Sequence, residues 1–522
     1  MATSSFPRTD RSALAALGVA IVSFGTLYAR LAIAKSKALM PEWGFDVTFF
    51  HNLLWNISQG NGYRQSASYH EPPGMFNDTH FEPIFVLAAP IYKFAPSLDT
   101  FYVVQSGLLA LGAVGIYRIA RSAGARPWGA ATGGLIYLLW WPLWRMAMAD
   151  IRPLLWSIPF LLLLVAALRE GRRFETFLWA GLACLCREEV PILVCAVLAA
   201  SWAWRGARAA ARRRITIRVG VATFVFILAT YFLRSNPSFY IRPLYWLQTV
   251  FGAVDVDAAL ADYGHGSGDL LSTRVRYLAE WIIPAGLGAL LAPELLLASS
   301  PLFIYLFTRQ DEWASWEGPY IHWCSPALAL VAAGAALGWT RALSWPKLPR
   351  SAAPAILAVV LLCECAVLFG HPGLVGPGDS PNVGWDRSSA RWDRYIEAEV
   401  APWETQESYV TEAHRLAGKV PVDASVMVDD GRGDRGEIQA SLIHLLSGRS
   451  HVYSYQQEEL AQVDPATDPL NEALLPAAAV DPTWALIHEK DTAWIARARA
   501  AGLLERDRGG LWVLLGPAAP QD

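Results

Sequence analysis

Apolar stretches of about 20 residues recur along the first 370 positions of the chain. Each is long enough to cross about 30 Å of hydrocarbon as a helix. Only helices and closed barrels satisfy their own backbone polar groups in lipid, so stretches of this length predict a mainly α, polytopic helix bundle. The composition agrees: 54% of the 522 residues are hydrophobic, 17% are charged, 23 are Trp, and the mean hydropathy is +0.27. Those values lie outside ordinary soluble usage and exclude disordered, collagen-like and disulfide-scaffold chains. Spans are expected at 12–33, 98–119, 126–147, 153–168, 174–186, 189–204, 215–234, 276–291, 293–308, 321–340 and 352–370, eleven in all. No small-residue cleavage site follows the first, so it reads as an uncleaved span rather than a signal peptide.

The net charge of -3 conceals a division. Residues 1–372 hold 30 Lys and Arg against 22 Asp and Glu, whereas residues 373–522 hold 13 against 24. A basic membrane domain, 1–372, is therefore followed by an acidic domain, 373–522. All six cysteines (Cys184, Cys186, Cys195, Cys324, Cys363 and Cys365) lie in the first part, with neither metal-site nor disulfide spacing.

Short cytoplasmic loops retain Lys and Arg, and alternate loops here are arginine-rich. They carry Arg118, Arg121 and Arg126; Arg169, Arg172 and Arg173; Arg205, Arg208, Arg212, Arg213, Arg214 and Arg218; and Arg341, Lys347 and Arg350. With Arg8 and Arg11 they place the N-terminus inside a bacterial cytoplasmic membrane. An odd number of spans places the acidic domain outside. The outer face then receives the loop 34–97 and the connections 148–152, 186–190, 235–275 and 309–322. Ionisable groups cost roughly 2.5–3.5 kcal/mol each at membrane depth, so their convergence at span ends predicts a functional cavity; polar loops with no further role are the plain alternative.

Within the outer loop, Gly44-Phe45-Asp46 opens a helical pattern with Phe49, Leu53 and Ile57 on one side and Thr48, His51, Asn52, Asn56 and Gln59 on the other. Such a segment lies along the interface. Asp46 is either its N-cap, worth about 1 kcal/mol, or a carboxylate held beside a cavity, and the two are compatible. Asp78-Thr79-His80-Phe81-Glu82-Pro83 precedes the apolar stretch 84–95, which is too short to span and reads as re-entrant or interfacial. Asp78, His80 and Glu82 offer acid/base groups or three metal ligands, and equally a polar turn that caps the next helix.

Arg187-Glu188-Glu189, set between Leu185-Cys186 and Val190-Pro191-Ile192, is the sharpest anomaly in the chain. It reads as an ion pair inside the bundle, or as an arginine whose fork is fixed by glutamate for an anionic head group. Asp150-Ile151-Arg152-Pro153 repeats the acid-plus-arginine combination at another outer connection, which favours a bound phosphate or diphosphate. Tyr263-Gly264-His265-Gly266-Ser267-Gly268-Asp269 is a glycine-rich turn able to approach a ligand, without the lysine of a nucleotide-binding loop. His322 opens the tenth span near the outer interface. In the tail, an amphipathic helix near 387–417 and strands at 426–428, 451–453, 484–487 and 511–515 predict a small α/β domain. Its Asp429-Asp430-Gly431-Arg432-Gly433-Asp434 lacks EF-hand spacing and reads as a solvated turn.

These motifs resemble the polytopic membrane family called domain of unknown function 2079, over nearly the whole chain. The resemblance rests on Gly44-Phe45-Asp46 with Leu54-Trp55-Asn56 and Gly60, His80-Phe81-Glu82-Pro83, Asp150-Ile151-Arg152-Pro153, Arg187-Glu188-Glu189, Tyr263-Gly264-His265-Gly266-Ser267, Tyr320 with His322, and Val422-Asp423-Ala424-Ser425-Val426. That family more often has histidine where Arg152 stands and Lys-Glu-Asp where Arg187-Glu188-Glu189 stands. Charge is kept at 187–189, whereas a proton-transfer role at 152 is not.

The family is in turn similar to the C-type (GT-C) glycosyltransferases, which use polyprenyl-phosphate sugars and share a long outer loop, an early acidic residue and an acid-bearing outer connection. The resemblance implies transfer of a sugar, with inversion, from a polyprenyl-phosphate donor to a lipid, glycan or protein acceptor on the outer face, and no nucleic-acid partner. Asp46 and Asp150 fall at the two acidic positions and are the catalytic candidates, with Asp46 as general base. Arg187 and Arg152 are candidates for the donor phosphate; His80, Glu82, Asp78, Glu188, Glu189, His265 and His322 for holding or orienting substrate. A divalent cation such as Mg or Mn stays open as a cofactor, with Asp46, Asp78, His80 and Glu82 as its candidate ligands. A lipid-linked-saccharide flippase and a non-catalytic scaffold with a partner-binding outer domain are the competing readings; no inverted repeat supports the former.

Overall fold

The computed structural model describes residues 8–37, 44–63, 81–148, 150–204, 209–233, 285–307, 325–345, 352–369, 408–421, 423–428, 443–446, 452–454, 483–509 and 512–518. The described part is mainly helical. Helix α1 (Arg8–Lys37) is followed by α2 (Gly44–Gln59), α3 (Ile84–Phe94), α4 (Leu98–Ser122), α5 (Pro127–Leu139), α6 (Trp141–Met148), α7 (Pro153–Glu170), α8 (Arg173–Cys184), α9 (Val190–Ala200) and α10 (Ala209–Leu233). A 3-10 segment (Ala285–Leu291) then leads into α11 (Pro293–Phe307), followed by α12 (Ser325–Leu343) and α13 (Ala352–Phe369).

The helix ends follow local chemistry. Ser97 caps α4, accepting from the Asp99 N–H at 3.1 Å. Pro153 starts α7 because a first-turn proline gives up no helix hydrogen bond and holds the preceding Arg152 extended. Gly171 ends that helix at φ 72°, the left-handed conformation glycine adopts most cheaply. At the core, α4 crosses α7 so closely that a Cβ on Gly115 would meet the Leu162 Cβ at 2.7 Å. Small residues permit this approach where lipid supplies no hydrophobic drive between helices.

Four of the described helices are long and apolar enough to cross a membrane: Arg11–Lys37 within α1, α4, α7 and α12. The eleven expected spans correspond less evenly to single helices. The third is broken at Trp140, which is extended between α5 and α6, with Pro142 in the first turn of the latter. The fifth and sixth spans are α8 and α9, of 12 and 11 residues, about 18 and 16 Å long at 1.5 Å per residue. Both loop segments are helical: α2 has 16 residues, and α3, with 11, is too short to span. The polar side of α2 expected to face away from the bundle is instead buried, at Thr48, His51, Asn52 and Asn56. Asp46 differs in detail, because α2 begins at Gly44 and Asp46 falls within the first turn rather than at the N-cap. The first turn also favours a carboxylate, through the helix dipole.

After helix α14 (Ser408–Ala417), the strands β1 (Val426–Val428), β2 (Val452–Ser454), β3 (Trp484–His488), β4 (Leu504–Gly509) and β5 (Trp512–Gly516) form one sheet in the order β2-β1-β3-β5-β4, with α15 (Thr492–Ala500) between β3 and β4. β1 pairs parallel with β2 and β3; β5 pairs antiparallel with β3 and β4. Alternation sorts the side chains. Val426, Val428, Leu486 and Leu514 pack with Leu416 of α14, and Ala485, Ile487, Val513 and Leu515 pack with Ile495 of α15. The sheet unit meets the helices at the end of α1 and at α2: His414 Nε2 lies 3.0 Å from the Lys37 carbonyl, and the turn Ile443–Leu446 packs on α2.

Candidate functional site

Antiparallel connections sort the helix ends into two sets with different chemistry. One set holds the arginine-rich ends. There Arg118 bridges to Glu170 at 2.7 Å and Glu175 at 2.5 Å, Arg341 reaches Glu294 at 2.6 Å, and the Arg169 and Arg212 guanidinium carbons lie 5.3 and 5.7 Å from the Trp204 ring centre. The opposite set, to which the sheet unit attaches, collects the candidate site.

At that end the Glu82 segment is pinned to the connection between α8 and α9. The Ile84 N–H donates to the Leu185 carbonyl at 2.9 Å, the Phe81 N–H donates to Glu188 Oε2 at 2.9 Å, and the Glu82 N–H donates to Tyr63 Oη at 3.1 Å. The charged triplet is thereby brought against Glu82. Arg187 is 2% exposed and its Nε lies 3.0 Å from Glu189 Oε2; Glu188 is 6% and Glu82 1% exposed. Burial pushes the Glu82 carboxyl well above its usual range, opposed chiefly by the Arg187 charge and more weakly by Arg152, with Glu188 and Glu189 adding to the rise. Neither Glu82 oxygen has a hydrogen-bond partner among the described residues. A buried carboxyl in these surroundings favours its neutral, proton-carrying form.

The connection 150–152 is held by groups that the sequence reading did not single out. Lys35, in the last turn of α1, places Nζ 3.4 Å from Asp150 Oδ1, with the two side chains 5% and 1% exposed. Gln105, inside α4, accepts from the Arg152 N–H at 3.0 Å and donates to the Asp150 carbonyl at 3.4 Å. One amide thus clamps both sides of Ile151 and sets where Arg152 leaves the chain. The legible signal was Gln105 itself, a polar group within an apolar span that must find a partner. Gln105→Leu is expected to remove the two hydrogen bonds that span Ile151 and to destabilise the protein by about 1–3 kcal/mol. Thermal unfolding in detergent checks this; an unshifted midpoint would contradict the clamp.

Helices α2 and α3 cover the same end. His51 Nε2 lies 2.8 Å from Tyr92 Oη, joining α2 to α3, and the Phe50, Phe101 and Trp156 rings pack 5.8–6.0 Å from Phe85, tying both helices to α4 and α7.

The structure therefore brings together Glu82, Arg187, Glu188, Glu189 and Arg152, and pairs Asp150 with Lys35. Asp46 is placed by its backbone in α2, but its side chain lies outside the described residues, as do Asp78, His80, His265 and His322 altogether. Among the described residues no group of three or more His, Cys, Asp or Glu is arranged to hold a metal ion. Of the four candidate metal ligands, Glu82 alone has a described side chain.

Fold and site together define a polytopic membrane protein with a charged cluster buried at one end of its bundle. Residues 39–251 match the family model described as "Predicted membrane protein (DUF2079)", in agreement with the resemblance read in the sequence. The Tyr263–Ser267, Tyr320 and tail motifs lie beyond that match. No curated protein matches the chain. Similar solved structures include ArnT from Cupriavidus metallidurans bound to undecaprenyl phosphate, 15% identical, covering 96% of this chain and 99% of that one with a TM-score of 0.48. The same protein in the apo state is 15% identical, with coverages of 95% and 98% and a TM-score of 0.40. The Archaeoglobus fulgidus oligosaccharyltransferase in its apo form is 11% identical, with coverages of 90% and 69% and a TM-score of 0.39.

Proposed function

We propose that the protein is a membrane glycosyltransferase that moves a sugar from a polyprenyl-phosphate donor to an acceptor on the outer face of the cytoplasmic membrane, with inversion at the anomeric carbon. The observation that carries this reading is the buried meeting of Arg187 and Arg152 with Glu82 and Glu188 at the end of the bundle covered by α2 and α3. A lipid-phosphate donor places its charge at the membrane interface. Arginine forks suit a phosphate there, where low dielectric strengthens their hold on the charge that develops as the phosphate leaves. Asp46, on α2, is the general base for the acceptor hydroxyl. Asp150, the second acidic candidate, is held by Lys35 two residues before Arg152.

The N-terminus is cytoplasmic in this reading and the sheet unit extracytoplasmic, so the acidic tail shares the outer face with the site. The attachment of His414 to the Lys37 carbonyl, at the same end as Lys35 and Asp150, supports that arrangement. Incubating purified protein with radiolabelled polyprenyl-phosphate sugars and cell-envelope fractions tests the reaction. The expected result is label passing to an acceptor; movement of labelled lipid across vesicles without transfer would establish the flippase reading in its place.

A further inference from the structure

At the arginine-rich end, α4, α5, α12 and α13 enclose a groove of about 970 Å³, at the upper end of the roughly 300–1,000 Å³ of ligand pockets. Its mouth is formed by Arg126, Trp128, Ser344 and Trp345, and it runs along α5 to Tyr137 and Trp140. Gly129 and Gly133 of α5 face it from one side and Ala332 and Ala336 of α12 from the other, so the two helices leave a channel where larger side chains would close it. The 13 residues of α5 set its length at roughly 20 Å, about the depth of one leaflet. Most of its wall is apolar, with Arg126 and Ser344 at the arginine-rich end; in a bilayer, hydrocarbon chains fill such a groove.

The mouth supplies the head-group chemistry. Arg126 is exposed and makes no ion pair among the described residues, unlike Arg118, Arg172 and Arg341 at the same end, which all meet glutamates. Trp128 and Trp345 beside it are 53% and 65% exposed, as interfacial tryptophans are. We propose that this groove is a binding site for an anionic phospholipid of the cytoplasmic leaflet, its chains lying along Gly129 and Gly133 and its phosphate on Arg126. A basic position between helices on the cytoplasmic side suits such head groups. The choice of leaflet rests on the orientation proposed above; the site itself does not, and it lies at the opposite end of the bundle from the proposed reaction.

Purified protein exchanged into detergent with phosphatidylglycerol or phosphatidylcholine at equal concentrations tests the site by lipid retained per chain, read by native mass spectrometry. Phosphatidylglycerol is expected to be retained over phosphatidylcholine, and Arg126→Gln to lower its retention about fivefold, the effect of one basic residue at an anionic surface. Gly129→Leu is expected to lower retention by narrowing the groove. A Cβ at Gly129 meets nothing within 4 Å, and replacing a helical glycine favours the helix, so this variant folds; an unshifted thermal midpoint in lipid-free detergent verifies that it does. Equal retention of phosphatidylcholine, or wild-type retention by either variant, would overturn the assignment. None of these readouts requires turnover, so their failure leaves the proposed reaction standing, and failure of transfer leaves them interpretable.

Discussion

Arg187→Ala is expected to lower sugar transfer about 10²–10³-fold, the loss seen when one preorganised donor to a developing negative charge is removed, and to destabilise the protein by about 3–5 kcal/mol. The two effects have one cause. Arg187 is 2% exposed and is the largest favourable charge acting on Glu82, while its Nε lies 3.0 Å from Glu189. Without it, Glu189 loses its ion-pair partner and Arg152 is the remaining arginine acting on Glu82. Acidic groups left without their cation loosen the contact between residues 81–84 and 185–188. Arg187→Lys keeps the charge but loses the fork, so it is expected to restore stability more than transfer. Glu82→Gln supplies the internal check. Burial already favours the neutral acid at Glu82, so the amide is expected to be tolerated alone and to leave the stability lost in Arg187→Ala unrecovered. Thermal unfolding of the two single variants and the double variant measures the coupling; recovery of stability in the double variant would show that Glu82 carries charge beside Arg187.

The elements that sequence made legible are those defined by local pattern. The start of α7 at Pro153 and its end at Gly171 follow from two residues whose backbone restrictions need no tertiary context. The hydrophobic strands β1, β3 and β5 fall within a residue or so of their expected positions for the same reason. Strand β4, Leu-Glu-Arg-Asp-Arg-Gly, carries no apolar alternation. It is one of the two edge strands of the sheet, where charges deter pairing with another chain, so the property that suits it to the edge also hides it from a hydrophobic pattern.

The unequal spans have a comparable origin. An apolar run of adequate length at 126–147 does not reveal that Trp140 and Pro142 divide it. At the site, Arg187-Glu188-Glu189 was conspicuous because charge interrupts an apolar run. Lys35 and Gln105 were not, because a lysine just past a span and one amide within another look ordinary until the chain folds. Each pairs across a sequence separation of 45 or more residues, to Asp150 and to the backbone beside it.

Asp46→Asn is expected to reduce transfer about 10²–10⁴-fold, the contribution of a positioned general base, while leaving the fold intact. The expectation of an intact fold comes from how α2 is held. Its position depends on the His51–Tyr92 hydrogen bond, on Phe50 against Phe85, and on the buried Leu53 and Leu54, all of which lie beyond the first turn that contains Asp46. Within that first turn an ionised carboxylate gains about 0.3–1 kcal/mol from the helix dipole, which an amide of the same shape forgoes. A rate loss several orders of magnitude beyond what such a change can produce is then attributable to the missing base. The measurement is transfer by purified wild-type and variant proteins at saturating donor, with thermal midpoints recorded on the same samples. The variant loses the base without losing Arg187 or Arg152, so donor retention is expected to persist where turnover does not. An unchanged rate in a folded sample would remove Asp46 from the chemistry and leave Glu82, the buried carboxyl beside both arginines, as the group to test next.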